Sequence, residues 1–362
     1  MFADHGCWAG GTGSREYNFL NETGGRLQDS RLPLLLAPRE SAVLGLAIGG
    51  AAGIELAPLE ERAFEGGEFK LRPLTSVRER TVFVVQSLAE SAEASIAHRL
   101  MRLLFLLLGL KDAGAARTVA IIPYLAFARE DRRAQARDPV TMRYAAQLLE
   151  ATGVGGVVML DVHNPAALEN AFRIPVDHFS AIPMFVDHVA RHLGAADVAV
   201  ASPDIGGVKR AQIFRELLER RLGRAVELAF IEKRRSDGAV VTGRMVGQVS
   251  GRDVIVIDDL CATGGTLTRA AVVLRAAGAR MVHVAFTHAP VAAGLAAVAA
   301  DSGIGKIMVT DSVGPALVIP PGGEGRVELL PVAPLLGQAV ARMVAGAPLA
   351  PLLDRWPPAD SA

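Results

Sequence analysis

Residues Val254–Thr266 read VIVIDDLCATGGT. An apolar run ends in two adjacent carboxylates, Asp258 and Asp259, and a loop with Gly264 and Gly265 follows, flanked by Thr263 and Thr266. Glycines let backbone N–H groups turn toward an anion, and the positive end of a helix starting near Thr266 adds favourable potential. The threonine hydroxyls supply further donors. This is the pattern of a phosphate cradle. The carboxylates suit different chemistry, either accepting hydrogen bonds from vicinal sugar hydroxyls or holding Mg²⁺ through water. A phosphate pocket beside a diol clamp describes a ribose 5-phosphate site. The loop is not a Walker A sequence, because no Gly-Lys-Ser/Thr is present.

Other chemistry-bearing residues are less specific by themselves. Lys233, Arg234 and Arg235 come just past the expected strand Val226–Ile231 and precede Ser-Asp-Gly, a flexible stretch. Cations on a mobile loop can close over a transferring phosphoryl group; a solvated basic turn has the same composition. His163 follows a strand end and Asp161, and a lone histidine is more often structural than a ligand. Arg129, Asp131, Arg132 and Arg133 form a dense charged run, which in most proteins is a solvated face. Phe64–Glu68 (FEGGE) contains Gly66-Gly67, an ordinary turn signal.

Strands and helices must position these residues. The strands predicted from the pattern are Thr81–Gln86, Thr118–Pro123, Gly156–Leu160, Val198–Ser202, Val226–Ile231, Asp253–Ile257 and Met281–Thr287. Helical stretches lie between them, at Glu93–Leu110, Val140–Ala151, Val208–Arg220 and Thr266–Ala277. Continuous apolar strands separated by helices imply parallel sheets covered on both faces. In such sheets ligands sit at the carboxyl ends of strands, where the acid pair, His163 and Asp204 all fall. Two units are expected, 33–180 and 181–346. Residues 1–32, without apolar periodicity, read as a disordered extension. Residues 347–362 read as a loose tail.

Composition narrows the classes. The chain has 362 residues, 51% hydrophobic and 21% charged, which argues against disorder. Lys plus Arg and Asp plus Glu are 38 each, so no nucleic-acid partner is expected. The two cysteines, Cys7 and Cys261, make neither a disulfide framework nor a zinc cluster and fit a reducing cytoplasm. The uncharged stretch Ser41–Ile54 is shorter than the roughly 18 residues needed to span a bilayer. The first residues lack the basic start and apolar stretch of a signal peptide, so none is expected there.

The segment Val254–Thr266 resembles the phosphoribosyl-diphosphate motif of type I phosphoribosyltransferases and ribose-phosphate diphosphokinases. Further segments favour the second group. Ile122–Arg133 (IPYLAFAREDRR) is similar to its Pro-Tyr-x-x-Tyr-Ala-Arg-Gln-Asp-Arg, and Leu160–Asn164 (LDVHN) to its Asp-Leu-His-Ala. Ile174–Pro183 (IPVDHFSAIP) matches the region that follows. Ser202–Arg210 (SPDIGGVKR) resembles Ser-Pro-Asp-x-Gly-Gly-x-x-Arg, and Ile231–Arg235 (IEKRR) a Lys-Arg-Arg catalytic loop. Phe64–Glu68 is similar to Phe-Ser/Pro-Asp-Gly-Glu. The likeness runs in collinear order from about Pro33 to Pro334.

The resemblance implies two tandem phosphoribosyltransferase-like α/β domains, each a mostly parallel sheet covered by helices. It implies diphosphoryl transfer from ATP to the C1 hydroxyl of ribose 5-phosphate, with Mg²⁺. Lys233 and Arg235 would be catalytic. Arg129, Asp131 and His163 would contact ATP, and His163 and Asp204 the metal. Asp204, Asp258, Asp259, Thr263, Gly264, Gly265 and Thr266 would hold ribose 5-phosphate. Phe64 and Glu68 would reach the adenine and ribose of a neighbouring subunit's nucleotide, which implies a homo-oligomer. Three departures stand out: Gly66 replaces the family aspartate, Glu130 replaces a glutamine, and Ala262 stands where a third acid is usual. A phosphoribosyltransferase with the same cradle, or a non-catalytic regulatory paralogue, are the alternatives.

Overall fold

A computed structural model of the chain describes residues 32–91, 94–236, 239–314 and 319–353, and for 233–236 and 239–243 it describes the backbone. The first half runs β1 (Leu34–Leu36), α1 (Ala42–Ala52), β2 (Leu59–Ala63), β3 (Phe69–Pro73), β4 (Thr81–Val85), α2 (Ile96–Asp112), β5 (Arg117–Ile122), α3 (Thr141–Ala151), β6 (Val157–Leu160), α4 (Pro165–Ala171) and β7 (Val176–Phe179). The second half runs α5 (Ile182–Leu193), β8 (Val198–Ser202), α6 (Val208–Leu222), β9 (Glu227–Ser236), β10 (Ala239–Val246), β11 (Asp253–Leu260), α7 (Gly265–Ala276), β12 (Met281–His288), α8 (Ala292–Ala300), β13 (Ile304–Thr310), β14 (Val327–Leu330), α9 (Ala333–Val344) and α10 (Ala350–Leu353).

Two sheets result. The first has the order β1-β4-β5-β6-β7 and is parallel throughout. The second has the order β10-β9-β8-β11-β12-β13-β14, and only β10 runs antiparallel to its neighbour. Helices cover both faces, so Val82–Val85, Val119–Ile122, Val157–Leu160 and Val254–Ile257 are buried from end to end. That burial is why these strands read as unbroken apolar runs. Local signals set the helix ends. Ser95 caps α2 by accepting the His98 N–H at 3.2 Å, and Asn164 caps α4 ahead of Pro165. Gly53 and Gly223 close α1 and α6 in the left-handed conformation.

Three expectations differ from the structure. Helix α9 falls within the span assigned to the second unit, yet it packs on α1 and the first sheet. Leu336, Ala339 and Val340 join Leu35, Leu44, Ile48 and Phe83 in one core. Helix α1 (AVLGLAIGGAA) is apolar almost all round and needs this cover. The helices meet closely at Gly337, where a Cβ would lie 2.4 Å from Ala51 Cβ. The tail is not loose over 350–353: α10 forms there, and Leu352 and Leu353 pack on the same core. Residues 354–362, like 1–31 of the expected extension, lie outside the described residues. Lys233–Arg235 do not follow a strand. Their backbone continues β9 and pairs with β10, Val240 opposite Arg235 and Val241 opposite Arg234, because the β-branched run Val240–Thr242 offers a partner. The turn expected at Gly66-Gly67 forms: FEGGE is the tip of an antiparallel hairpin, β2–β3, apart from both main sheets.

Among the described residues no helix is long and apolar enough to cross a membrane.

Candidate active site

The carboxyl ends of strands from both sheets open on one cavity of about 1080 Å³. Arg129, Arg132, His163 and Asn164 line it from the first sheet's side. Asp204, Lys209, Arg210, Asp258, Asp259, Thr263, Gly264 and Thr266 line it from the second's.

The cradle is built as its sequence implies. Gly264 has φ 76°, and a Cβ there would stand 2.7 Å from the Gly294 carbonyl oxygen, so the loop needs glycine. Helix α7 starts at the next residue, which turns its N-terminus toward the cavity wall formed by Thr263, Gly264 and Thr266. Gly265 is the first residue of that helix and does not line the cavity. Cys261 is buried under the loop. Burial, followed by the charge of Asp258, pushes its thiol up to about 12.

The two acids have unequal surroundings. Asp258 Oδ1 lies 3.3 Å from Arg210 Nη1 and accepts the Asp259 N–H at 3.0 Å. Asp259 Oδ1 lies 3.2 Å from the same Arg210 nitrogen, and its Oδ2 lies 2.8 Å from His163 Nδ1. Burial, with the Asp259 charge beside it, raises the Asp258 carboxyl. Burial also works against ionisation of Asp259, but the His163 hydrogen bond and Arg210 outweigh it and hold this carboxyl below the usual range. The bond to Asp259 in turn raises His163, against its own burial. Arg210 closes the Ser202–Arg210 motif, and residue types alone assign it no role. Its position in the first turn of α6, six residues past Asp204, is the signal that singles it out.

His163 gives Nδ1 to Asp259, which leaves Nε2 for the cavity. A carboxylate behind a histidine is the pairing that orients metal-bound imidazoles. Asp204 accepts the Gly207 N–H at 3.2 Å and adds a hard oxygen donor to the wall. Among the described residues no three His, Cys, Asp or Glu side chains form a ready-made cage. His163 and Asp204 both line the cavity and are the donors there that would suit a Mg²⁺ ion taking the rest of its shell from water and substrate phosphate. Asp131 stands one step behind the wall, bonded to Asn164 and to Arg132, which lies in the wall. The Arg132 hydrogen bond lowers its carboxyl.

Phe64 and Glu68 are not brought to this cavity. Both are exposed on the β2–β3 hairpin, Phe64 by 49%. The side chains of Lys233 and Arg235 lie outside the described residues.

Comparison with known proteins follows the same division. Residues 34–153 match a family model described as the N-terminal domain of ribose phosphate pyrophosphokinase, and residues 183–311 one described as a phosphoribosyl transferase domain. Ribose-phosphate pyrophosphokinase 1 of Streptococcus pyogenes is 34% identical over 326 residues, 88% of this chain and 97% of the relative. Ribose-phosphate pyrophosphokinase 2 of Enterococcus faecalis is 34% identical over 85% of this chain and 91% of its own length. The crystal structure of phosphoribosylpyrophosphate synthetase from Mycobacterium smegmatis superposes with a TM-score of 0.78 at 30% identity. It covers 88% of this chain and 100% of that one.

Proposed function

The chain belongs to the ribose-phosphate pyrophosphokinase family of enzymes, and we propose that it transfers the diphosphoryl group of ATP to the C1 hydroxyl of ribose 5-phosphate. The products are AMP and phosphoribosyl diphosphate. The observation that carries this reading is the single cavity. It joins a phosphate cradle and acid pair from one sheet to His163, Asn164 and two arginines from the other.

The cradle at Thr263–Thr266 takes the 5-phosphate, and Asp258 and Asp259 receive the ring hydroxyls. Arg129 and Arg132 present planar forks of donors to the triphosphate. Glu130 follows Arg129, so an acid stands at the edge of the nucleotide half. His163 and Asp204 would hold Mg²⁺, which would supply charge neutralisation on the phosphates. The C1 hydroxyl attacks the β-phosphorus in line, the bond from that phosphorus to the α–β bridging oxygen breaks, AMP leaves with that oxygen, and the hydroxyl proton passes to water. Lys233 and Arg235, on the β9–β10 ribbon, neutralise charge on the moving group. Much of the acceleration then comes from orientation and electrostatics.

Phe64 and Glu68 stand outside the cavity of their own chain. In this reading they serve the nucleotide of a second copy, and the enzyme works as a homo-oligomer.

Phosphorus NMR of the purified protein with ATP, ribose 5-phosphate and Mg²⁺ tests the reaction. Joint appearance of AMP and a diphosphate ester at C1 is the expected result. Consumption of phosphoribosyl diphosphate with a base or amine, without ATP, would indicate the transferase instead. A Lys233→Ala variant with undiminished turnover would overturn the role given to Lys233.

A further inference from the structure

The loop that carries His163 is fixed on both sides by side chains from elsewhere in the chain. Asp161 is buried and has φ 38°, a left-handed conformation uncommon outside glycine. Its Oδ2 accepts the Ala181 N–H at 2.7 Å and the Thr287 hydroxyl at 2.6 Å. Thr287 lies on β12, in the other sheet. One residue on, the Val162 N–H donates to His178 Nε2 at 2.9 Å, and His178 lies on β7. Past His163, Asn164 donates to Asp131 and caps α4. The Thr287 carbonyl is itself held by the Thr310 hydroxyl at 2.6 Å.

Burying a carboxylate among neutral donors gains a fold little stability, because the bonds mainly offset desolvation. It does fix direction. A ring that must meet a metal and a triphosphate at a set angle needs neighbours that are themselves locked. Three elements, β7, β12 and the turn into α5, converge on residues 161 and 162.

We propose that His178 and Thr287 are positioning residues for the reaction. Thr287 acts through Asp161 and His178 through the Val162 N–H, and together they set the angle at which His163 meets the metal-bound nucleotide. The inference rests on the reading that His163 serves the nucleotide.

Two pairs of variants test it. Thr287→Val and His178→Phe keep bulk and remove the donor or acceptor. Thr287→Ser keeps the hydroxyl, and His178→Gln keeps an acceptor near the Nε2 position. Each is examined by steady-state kinetics with ATP and ribose 5-phosphate varied separately. Each is also examined by calorimetry with Mg²⁺ and a non-hydrolysable ATP analogue, and by hydrogen–deuterium exchange at Val162 without ligand. The first pair is expected to raise KM for Mg·ATP and weaken analogue binding about tenfold. KM for ribose 5-phosphate should stay near the wild-type value, and exchange at Val162 should speed up in His178→Phe. The second pair should resemble wild type. Unchanged analogue affinity in the first pair overturns the proposal, as does an equal rise in both KM values that Ser and Gln fail to rescue. A wild-type chain that binds the analogue but makes no phosphoribosyl diphosphate faults the reading of the reaction alone, because calorimetry and exchange still decide the positioning role. A wild-type chain that does not bind the analogue overturns both.

Discussion

His163 Nδ1 and Asp259 Oδ2 meet at 2.8 Å across the two sheets. The first residue follows β6 and the second lies next to the last residue of β11, so one bond joins the two sides of the cavity. Residues that act through each other do not contribute independently. Alanine at either position is expected to lower kcat/KM by about 10² or more, the scale of a lost charged contact at a reacting centre. The double variant should lose less than the product of the two, with a coupling of about 1–3 kcal/mol. A double-variant cycle in steady-state kinetics measures this directly. Strict additivity would mean the two residues serve their halves separately.

Arg210 is the cation shared by Asp258 and Asp259. Replacing it with Met keeps the length of the stem and leaves two neighbouring acids without their common partner. Removing one side of a charged hydrogen bond typically costs about 2 kcal/mol. Urea unfolding should show a loss of that order, and KM for ribose 5-phosphate should rise more than KM for ATP. Unchanged stability and unchanged KM for the sugar would make Arg210 a bystander on the wall.

The parts of this site that are legible in the sequence are those that share one strand, loop and helix. Asp258, Asp259, Thr263, Gly264 and Thr266 sit within nine residues, and backbone geometry alone brings them together. The bond from His163 to Asp259 spans 96 positions and depends on how two sheets face each other, which no local period encodes. The same holds for α9: its apolar stripe shows that it packs, and the partner, α1, lies nearly the whole chain away. The turn at Gly66-Gly67 is legible as a turn, because glycine preferences are local. Its distance from the cavity is not. Strand ends are set by pairing partners: β9 runs through Lys233–Arg235 because β10 returns beside it.

Cys261 lies beside the reactive acids yet should be inert. Burial and the Asp258 charge raise its thiol to about 12. At pH 8 the thiolate fraction is then on the order of 10⁻⁴, and the thiolate is the nucleophile. Iodoacetamide followed by peptide mass spectrometry should leave Cys261 unlabelled in the native protein and label it fully in guanidinium. Rapid native labelling would mean that the loop at Cys261–Gly264 opens in solution.

Asp311 gives a pH-dependent contribution of known sign. Burial raises its carboxyl above the ordinary aspartate value, and the Val332 N–H, donating to Oδ1 at 2.8 Å, offsets part of that. A carboxyl whose folded value is raised favours folding when protonated. That stability is present below the unfolded value and is lost as pH rises through the folded one. Above that range the native state carries a charge that its half-buried setting between β13 and α9 disfavours. Asp311→Asn keeps an oxygen for the Val332 N–H and removes the charge. The variant is expected to melt roughly 2 °C above wild type at pH 7. The gap should close as pH falls toward 3, where wild type is protonated too. Calorimetric scans across that range check it. A variant that melts lower at every pH would show that the charge itself holds α9 onto the sheet.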